Sequence, residues 1–599
     1  MKLRKRIWKA ILFATAVIIV IGSILAAFLV KINNQYRPSV YNYESYLAPQ
    51  IISKLKNKYN YKEFKEINEF TQALSQEKAI AGVGSDFQAA QLIIDKKIKK
   101  FNFETIYGEK GNSWEYRKQF FNPNIVRHIE DFDAMLLSTI DDLDKKGKIK
   151  DFEIERNDQN QPIRFRLKET KEKYATYNDG WDHFYDYIVP YFSQDKGVAY
   201  NINKATRPKV DVDNVVPALE NKDKKLSWEE IFKTLHNNKY EVFGWTNAYV
   251  DNLMIGAFTY GDNWKDIFTK VVNGTRVLNF NEKNYRLAID SFIKFVKNTT
   301  GRDIKNTKYN YLSSDGLELL NHLIEPKEGR SDAAVIYNGD ALDAYYSEDN
   351  FSSVEEGKVK YIRPKTNYML MDNWIISKSL SDKEAEEFTK TLAETIYHGT
   401  VLTNKIDTLE AKIEKMENLF FSDLKVKINE DEELVSSQKE ALQEALEKTS
   451  DESKEEIIEA FKEAGVNIDN LNSNNFTQWN LDKFNKFVDL PAQKENYEWL
   501  LVLRDNLEGD GILFDEIISN LFTENNISEL ENFDFVSYTP TDKLTYEFVK
   551  KWYFAGDTNA MAIYEQPEAD ENYEVYSYPI IDNNLRTRIV AYYFEATKS

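Results

Sequence analysis

The side chains of this 599-residue chain that could do chemistry are its 98 carboxylates, its many aromatic rings and its five histidines, because the sequence contains no cysteine. No Gly-x-Ser-x-Gly elbow, His-Glu-x-x-His pair or phosphate-binding loop occurs in it. The carboxylates are too numerous for one pair to stand out as a glycosidase dyad. We interpret each histidine as a surface or structural residue. The sequence therefore predicts a protein without catalytic activity or cofactor, and an extracellular hydrolase is the enzymatic alternative.

The same residues do not predict a metal site. The lack of cysteine excludes thiolate ligands and disulfides, and five histidines are few for a His-rich centre. The acidic segments Asp141-Asp142 and Asp211-Val212-Asp213 lack the spacing of a calcium-binding EF-hand loop. We interpret them as solvated loops.

The overall charge limits the partners. A formal net charge of −20 argues against nucleic acid, because phosphate contacts need clustered lysine and arginine. An acidic surface suits a cationic ligand, although it also serves solubility alone.

Alternating strand and helix patterns indicate α/β lobes with mostly parallel strands. With 42% hydrophobic residues, a chain of this length can bury more than one core, which predicts two or three domains. Residues 40–43 predict a strand and residues 47–58 the following helix. Residues 79–83 predict a buried strand, followed by a turn at Gly84-Ser85 and a helix over 88–97. Such alternation is typical of parallel sheets.

Further elements continue this pattern. Residues 187–191 and 197–200 predict two strand segments that could cross between lobes, and 333–337 a buried strand that ends in a turn at Asn338-Gly339. Residues 104–180 show little strand pattern and are interpreted as a surface elaboration. The predicted helices here are 228–235, 249–258 and 285–296.

From about residue 380 the pattern changes to long helices. Spacings of four and three predict the seam of an amphipathic or coiled-coil helix. The residues of that seam are Leu402, Ile406, Leu409, Ile413, Met416 and Phe420. We interpret this region as a helical insertion that packs on itself or a neighbour. Mixed α/β structure returns after about residue 530, with a terminal helix over 586–596.

The N-terminus predicts a membrane anchor. The run from 10 to 30 has no charged residue and, at about 1.5 Å per residue, reaches about 30 Å, the thickness of one hydrocarbon core. A basic flank precedes it, formed by Lys2, Arg4, Lys5, Arg6 and Lys9. The positive-inside rule then places the N-terminus in the cytoplasm and everything after Lys31 outside the cell. A signal peptide cut near Ala26-Ala27 is the alternative, and the length of the run favours retention.

Short segments, in the same order along the chain, resemble the spermidine/putrescine-binding proteins of ABC importers. Residues 41–49 (YNYESYLAP) are similar to that family's Tyr-Asn-Trp-x-x-Tyr-hydrophobic-x-Pro, with Tyr43 at the tryptophan position and Tyr46 at the tyrosine. Residues 371–373 (MDN) are similar to its Met-Asp-Ser, with Leu370 where the family has a further tryptophan. The other similar segments are 84–87, 189–191, 226–232, 335–340 and 536–540.

The resemblance implies a polyamine site made of aromatic faces and carboxylates, because a polyamine is a methylene chain that carries ammonium groups. Asp372 matches the family's aspartate, Asp251 is the candidate acid on the second lobe, and Asp86 adds a carboxylate. The implied aromatic walls and hydroxyl ligands are Tyr43, Tyr46, Phe87, Tyr337 and Tyr538, with Ser85 and Ser314. Core packing is the alternative for each aromatic residue, and a strand-end cap or salt bridge is the alternative for Asp372.

The implied fold class is α/β, a two-lobed periplasmic-binding-protein-like (Venus flytrap) fold with an N-terminal transmembrane helix and an α-helical insertion. The expected domains are 1–35, basic flank and anchor; 36–200, first lobe with an insertion at about 104–180; 201–365, second lobe; 366–400, return to the first lobe; 401–530, helical insertion; and 531–599, C-terminal part of the first lobe.

The resemblance further implies a substrate-binding subunit that captures spermidine or putrescine between the lobes. It would present the ligand to membrane permease subunits driven by a cytoplasmic ATPase. The expected location is the cell membrane, with a single pass and most of the chain extracellular. The same fold binding a sugar, a thiamine-like cation or an iron complex is one alternative. A surface adhesin or structural protein without the site is an alternative of a different class.

Overall fold

The computed structural model describes residues 37–65, 67–175, 177–220, 225–347, 351, 353–430, 432–507, 527–554 and 557–598. The membrane helix predicted at 10–30 lies outside these residues. Within them, no helix is both long and apolar enough to cross a lipid bilayer.

Strands and helices alternate through most of the described chain. The strands are β1 Ser39–Tyr43, β2 Asn60–Phe64, β3 Ala79–Ser85, β4 Phe152–Arg156, β5 Pro162–Leu167, β6 Val189–Asn201, β7 Phe243–Thr246, β8 Thr269–Val272, β9 Thr275–Leu278, β10 Asn310–Ser313, β11 Ala333–Tyr337, β12 Val359–Ile362, β13 Thr366–Ile376, β14 Thr539–Pro540 and β15 Glu574–Ser577. The helices as far as the insertion are α1 Pro49–Lys56, α2 Ile67–Ser75, α3 Asp86–Ile94, α4 Glu104–Tyr107, α5 Trp114–Arg117, α6 Pro123–Lys145, α7 Val212–Leu219, α8 Trp228–Asn237, α9 Tyr249–Phe258, α10 Trp264–Phe268, α11 Tyr285–Thr300, α12 Gly316–Ile324, α13 Asn338–Tyr345, α14 Asp382–Thr395 and α15 His398–Thr403. Those that follow are α16 Leu409–Glu430, α17 Glu432–Lys448, α18 Asp451–Glu463, α19 Phe476–Asp489, α20 Lys494–Asn506, α21 Ser528–Val536, α22 Lys543–Trp552, α23 Thr558–Tyr564 and α24 Asn583–Thr597.

One strand belongs to two halves of the central sheet. The sheet runs in the order β10-β7-β11-β6-β13-β3-β1-β2, with β12 and β14 also pairing β6 and β15 pairing β13. β1 is parallel to β2 and β3, and β7 is parallel to β10 and β11, whereas β6 is antiparallel to its partners. We call the half around β1, β2, β3, β13 and β15 the first lobe, and the half around β7, β10, β11 and β12 the second lobe. This is a mixed α/β fold in which β6 belongs to both halves of one sheet.

The sequence predicts two separate strand segments, at 187–191 and 197–200, whereas the structure has the single strand β6. Its 13 residues are continuous and all buried. Up to Asp195 they pair with β13 of the first lobe, and from Lys196 onward they pair with β11 of the second. The polar residues at 193–196 interrupt the apolar sequence pattern of the strand. They are nevertheless buried, because polar and charged partners inside the protein stabilise their side chains.

Local signals place the helices where the sequence predicts them in the second lobe. Ser227 accepts a hydrogen bond from the backbone of Glu230, whose side chain bonds back to Ser227, so α8 begins with a capping box. Such a cap stabilises a helix by about 1 kcal/mol. The turn predicted at Asn338-Gly339 is wrong, because these residues form the first turn of α13.

The segment 104–180, predicted as a surface elaboration, contains a buried helix. α6 buries one face at helical spacing, which includes Ile125, Ile129, Phe132 and Leu136. It contacts α3 and β15 of the first lobe. The segment also contains the hairpin of β4 and β5, and α6 is part of the lobe's core.

The helices of 401–530 share a second core with α22, α23 and residues of the second lobe such as Leu323 and Ile336. α16 packs on α22, α17 on α19, and α18 on α20. Phe421 stacks on Tyr497 with ring centroids 4.9 Å apart, and Trp552 meets Phe421 edge-on at 5.1 Å. The predicted seam is wrong in its first half, since α15 ends at residue 403, α16 begins at 409, and Leu402 is exposed.

The terminal helix α24 begins three residues before its predicted start. It contacts α9 and α11, both on the second lobe. The chain therefore finishes on the lobe opposite to β15, which precedes α24 and pairs with β13.

Candidate ligand-binding cleft

The predicted site residues cluster where strands end and helices begin. β3 runs directly into α3 between Ser85 and Asp86, and β11 runs into α13 after Tyr337. Asp251 lies in the first turn of α9, which follows β7. In α/β sheets the carboxyl ends of parallel strands form the usual binding crevice, and helix N-termini there favour negative charge.

Asp372 is the centre of the first-lobe group. Tyr46 donates a 2.5 Å hydrogen bond to Asp372 Oδ2, and Ser85 Oγ donates one of 3.2 Å to Oδ1. Tyr43 Oη lies 3.0 Å from Ser85 Oγ. The strands β13 and β3 place Asp372 directly opposite Ser85. Three separate parts of the sequence, at 43–46, 85 and 372, therefore meet around one carboxylate.

Asp372 is a buried charge without a cationic partner. Its residue is 5% exposed, and no lysine, arginine or histidine nitrogen in the described chain lies within ion-pair distance of its oxygens. Burial raises the pKa of Asp372 to about 7; the hydrogen bond from Tyr46 lowers it, and the charge of Asp86 raises it further. Two hydroxyl groups are weak compensation for a buried carboxylate.

Aromatic rings surround this carboxylate. The ring of Tyr46 lies 5.2 Å from that of Tyr43, 5.2 Å from that of Tyr538 and 5.6 Å from that of Phe192, in edge-to-face arrangements. Tyr43 and Tyr538 are partly exposed. The two partly exposed rings therefore border the buried carboxylate of Asp372, which is itself 5% exposed.

Asp86 faces the protein and not the cleft. It is fully buried, and its oxygens accept hydrogen bonds from the backbone of Phe87 at 2.6 Å and Met371 at 3.0 Å. His128 Nε2 lies 2.6 Å from Asp86 Oδ2. Burial raises the pKa of Asp86, whereas His128 and the backbone donors lower it. Asp86 therefore has protein partners where the sequence predicted a ligand contact.

A serine, a histidine and an aspartate form a hydrogen-bonded array below the cleft. Ser577 Oγ lies 2.8 Å from His128 Nδ1, and Nε2 of the same ring meets Asp86. These are the residue types of a hydrolase triad. The exposures of Ser577, His128 and Asp86 are 6%, 2% and 0%. The array joins α3, α6 and β15 within the core of the first lobe.

A second group lies on the second lobe around Asp251. Lys196 Nζ lies 3.2 Å from Asp251 Oδ2, and the Tyr578 hydroxyl donates a hydrogen bond to Oδ1. Tyr337 Oη lies 3.0 Å from Tyr578 Oη, and its ring centroid is 3.3 Å from the Lys196 ammonium. Burial lowers the pKa of Lys196, and the charges of Asp251 and Asp340 oppose that change.

The two lobes touch across the cleft. Tyr538 donates a 3.0 Å hydrogen bond to Asp340 of α13, and Tyr578, which follows β15, bonds Asp251 of α9. Gly339 makes room for the first contact, because a Cβ there would lie 2.3 Å from Tyr538 Cδ1. The two lobes are therefore in direct contact at these two places.

The remaining predicted residues lie at the margin. Phe87 is partly buried and stacks on Tyr578 at 5.8 Å. Ser314 is exposed between β10 and α12, away from the contacts above, whereas its neighbour Ser313 is buried and bonds Glu318. Within the described residues, no group of three His, Cys, Asp or Glu side chains is placed to hold a metal ion.

Sequence reasoning missed Lys196, Asp340, Tyr578 and His128. The polar run in β6 was the available signal for Lys196, since charged residues inside a buried strand need partners. Asp340 follows the Asn-Gly pair of a segment with a family resemblance. We find no local signal for Tyr578 or His128, whose partners are distant in the sequence.

No protein-family model matches the sequence, and no curated protein matches it. Solved structures show a distant likeness. The spermidine/putrescine ABC transporter substrate-binding protein PotD of Streptococcus pneumoniae has a TM-score of 0.35 and 11% identity, over 62% of this chain and 81% of that one. MotA of A. tumefaciens, in complex with glucopine, has a TM-score of 0.34 and 12% identity, over 61% and 81%.

Iron-bound HitA of Pseudomonas aeruginosa has a TM-score of 0.31 and 10% identity, over 62% and 84%. These proteins are named with different ligands, so the likeness does not select one. The chain has a mixed α/β fold with a distant likeness to these solved structures.

Proposed function

We propose that this chain is the extracytoplasmic substrate-binding subunit of an ABC importer, and that it captures a small organic cation of the polyamine class, such as spermidine or putrescine. The observation that carries the proposal is Asp372, a buried carboxylate that has hydroxyl partners but no cationic partner among the residues that the structure describes. A cationic group bound there would remove the cost of an unbalanced buried charge, which is several kcal/mol.

The surroundings of Asp372 suit an alkylammonium ion. An ammonium group would make a charge-assisted hydrogen bond to the carboxylate. Its methylene chain would lie against Tyr43, Tyr46 and Tyr538, and each ammonium–ring contact would add about 0.5 to 2 kcal/mol. The two lobes, joined by β6, would enclose the solute by hinge closure.

The proposal includes a location and partners. The apolar run at 10–30 would anchor the chain in the cell membrane, with most of it outside the cell. An anchored receptor stays near its permease at high effective concentration. The permease, driven by a cytoplasmic ATPase, would receive the solute. Protease added to intact cells should therefore degrade the region after residue 31.

Calorimetric titration of residues 37–599 with spermidine and with putrescine tests the function. We expect saturable one-to-one binding that weakens by about 100-fold or more in Asp372→Asn, a loss of about 2.7 kcal/mol. Asp262→Asn is the matched control, because Asp262 is exposed after α9 and carries the same charge. Unchanged binding in Asp372→Asn would contradict the site. No binding of either amine would favour another solute or an adhesin.

A further inference from the structure

Lys196 is a buried cation that the proposed contact at Asp372 does not use. Its residue is 1% exposed and lies at the position in β6 where pairing changes from the first lobe to the second. Its ammonium lies 3.2 Å from Asp251 Oδ2 and 3.3 Å from the ring centroid of Tyr337. Both partners belong to the second lobe.

These contacts are the ones that a bound alkylammonium group requires, namely a carboxylate, an aromatic face and exclusion of water. Asp251 Oδ1 accepts from Tyr578, whereas Oδ2 has the ammonium of Lys196 as its ion-pair partner at 3.2 Å. The charge of Lys196 is therefore what balances Oδ2. Tyr337 and Tyr578 are joined through their hydroxyls, which completes the enclosure around the ammonium.

A chain of contacts connects this group to Asp372. Tyr538 bonds Asp340, a carboxylate whose charge also acts on Lys196, and packs its ring on Tyr46. Tyr46 in turn bonds Asp372. The ammonium of Lys196 thus lies at one end of this series of contacts. At the other end lies Asp372, which has no cationic partner among the described residues.

We propose that Lys196 permanently occupies the cation subsite of the second lobe, so that the cleft recognises one terminal ammonium group of its solute, at Asp372, and not two. The part about one ammonium rests on the proposed function. The part about Lys196 as an internal occupant stands on the contacts of Asp251 and Tyr337 alone.

Chemical rescue tests the internal occupant. Lys196→Ala removes three methylenes and the ammonium, a group equivalent to n-propylammonium, and leaves Asp251 buried without a cation. We expect the melting temperature to fall, and n-propylammonium chloride to restore at least about half of the loss. Sodium chloride at equal ionic strength and n-propanol should not restore it, and the wild type should not respond in this way. Equal effects of all three additives would overturn the assignment.

A second measurement does not depend on the folding of the variant. Putrescine and n-butylamine have the same four-carbon chain and differ by one ammonium group. If Lys196 fills the second subsite, wild-type affinities for the two should agree within about threefold, after correction for the two equivalent ends of putrescine. A preference for putrescine of about 100-fold would overturn the inference.

The two proposals fail in different ways. Rescue of Lys196→Ala without amine binding to the wild type would refute the proposed function and retain the internal occupant. Strong preference for putrescine, without rescue, would retain the function and refute the occupant. Lys196→Met provides a further control, because methionine matches the length of the apolar stem of lysine without the ammonium and leaves no room for propylammonium, so it should not be rescued.

Discussion

The hydroxyl group of Tyr46 donates a 2.5 Å hydrogen bond to Asp372, a residue 326 positions later in the chain. The bond joins the connection after β1 to the middle of β13. It brings a ring and a charge of the first lobe into contact.

Tyr46→Phe should destabilise the protein by about 1 to 3 kcal/mol at pH 8, because it removes one of two donors to a buried carboxylate. Urea unfolding, followed by tryptophan fluorescence, gives the free energy. Tyr43→Phe is the control, since it removes a hydroxyl whose partner is the neutral Ser85, and about 0.5 to 1.5 kcal/mol is expected. A smaller loss for Tyr46→Phe than for Tyr43→Phe would contradict the importance of this donor.

Binding of a cationic solute should weaken as the pH falls below about 7. The pKa of Asp372 is raised by burial to about 7, so a proton and the solute compete for the same carboxylate below that pH. The affinity should fall by at most about tenfold per pH unit between 7 and 5, which calorimetry at several pH values measures. In Asp372→Asn this dependence should disappear. A wild-type affinity that rises on acidification would exclude Asp372 as the cation's partner.

His183 should stabilise the folded chain below about pH 6.5 and lose this effect as the pH rises to 10. Burial lowers its pKa, but Asp133 at 2.9 Å and Asp179 at 3.3 Å outweigh burial and raise it to about 10. Because the folded-state pKa lies above the unfolded value of about 6.5, the stabilisation is complete only below that value.

The difference in unfolding free energy between wild type and His183→Gln should therefore be about 2 to 4 kcal/mol at pH 6 and should shrink toward pH 10. Thermal unfolding at intervals of one pH unit measures it. His236→Gln, at an exposed position on α8, serves as the control. A difference that grows with pH would show that the imidazole is not stabilised as a cation.

Gly339→Ala should separate the lobes at one contact. The new Cβ would lie 2.3 Å from Tyr538 Cδ1, so the ring has to move and its hydrogen bond to Asp340 breaks. A loss of about 1 to 3 kcal/mol is expected. The double variant with Tyr538→Ala should lose less than the sum of the two single variants, because the clash is then absent. If the losses of the two single variants add up in the double variant, the effect of Gly339→Ala does not arise from the clash with Tyr538.

Much of the fold is readable from local pattern. β1, α8, α9, α11 and α24 have the periodicity of their element and occur close to the predicted positions. The two-segment interpretation of β6 was wrong because a polar run normally marks a break, and here Asp195 and Lys196 are buried with the charged partners Arg363 and Asp251. Asn338-Gly339 was predicted as a turn because that pair favours turns, but Asn338 uses its side chain to bond Asp195 and Thr539 at the start of a helix.

The sequence predicts residues of the candidate site only where they belong to a short motif with a family resemblance. Tyr46 and Asp372 were selected by their place in short motifs, and the structure puts them in contact. Lys196 could not be selected in this way, since Asp251 and Tyr337 approach it from different elements of another lobe. No local sequence pattern predicts a contact between residues of different elements.

β6 imposes a mechanical constraint on the molecule. Asp195 is its last residue paired with one half of the sheet, and Lys196 its first paired with the other. Arg363 forms an ion pair with Asp195 and also donates hydrogen bonds of 2.8 Å to the carbonyls of Ala562 and Ile563. Asp251 forms an ion pair with Lys196. Rotation of one half against the other must twist the backbone between these two neighbours. One of the connections between the two halves is thus a single peptide unit with an ion pair on each side, and we expect its stiffness to depend on electrostatics.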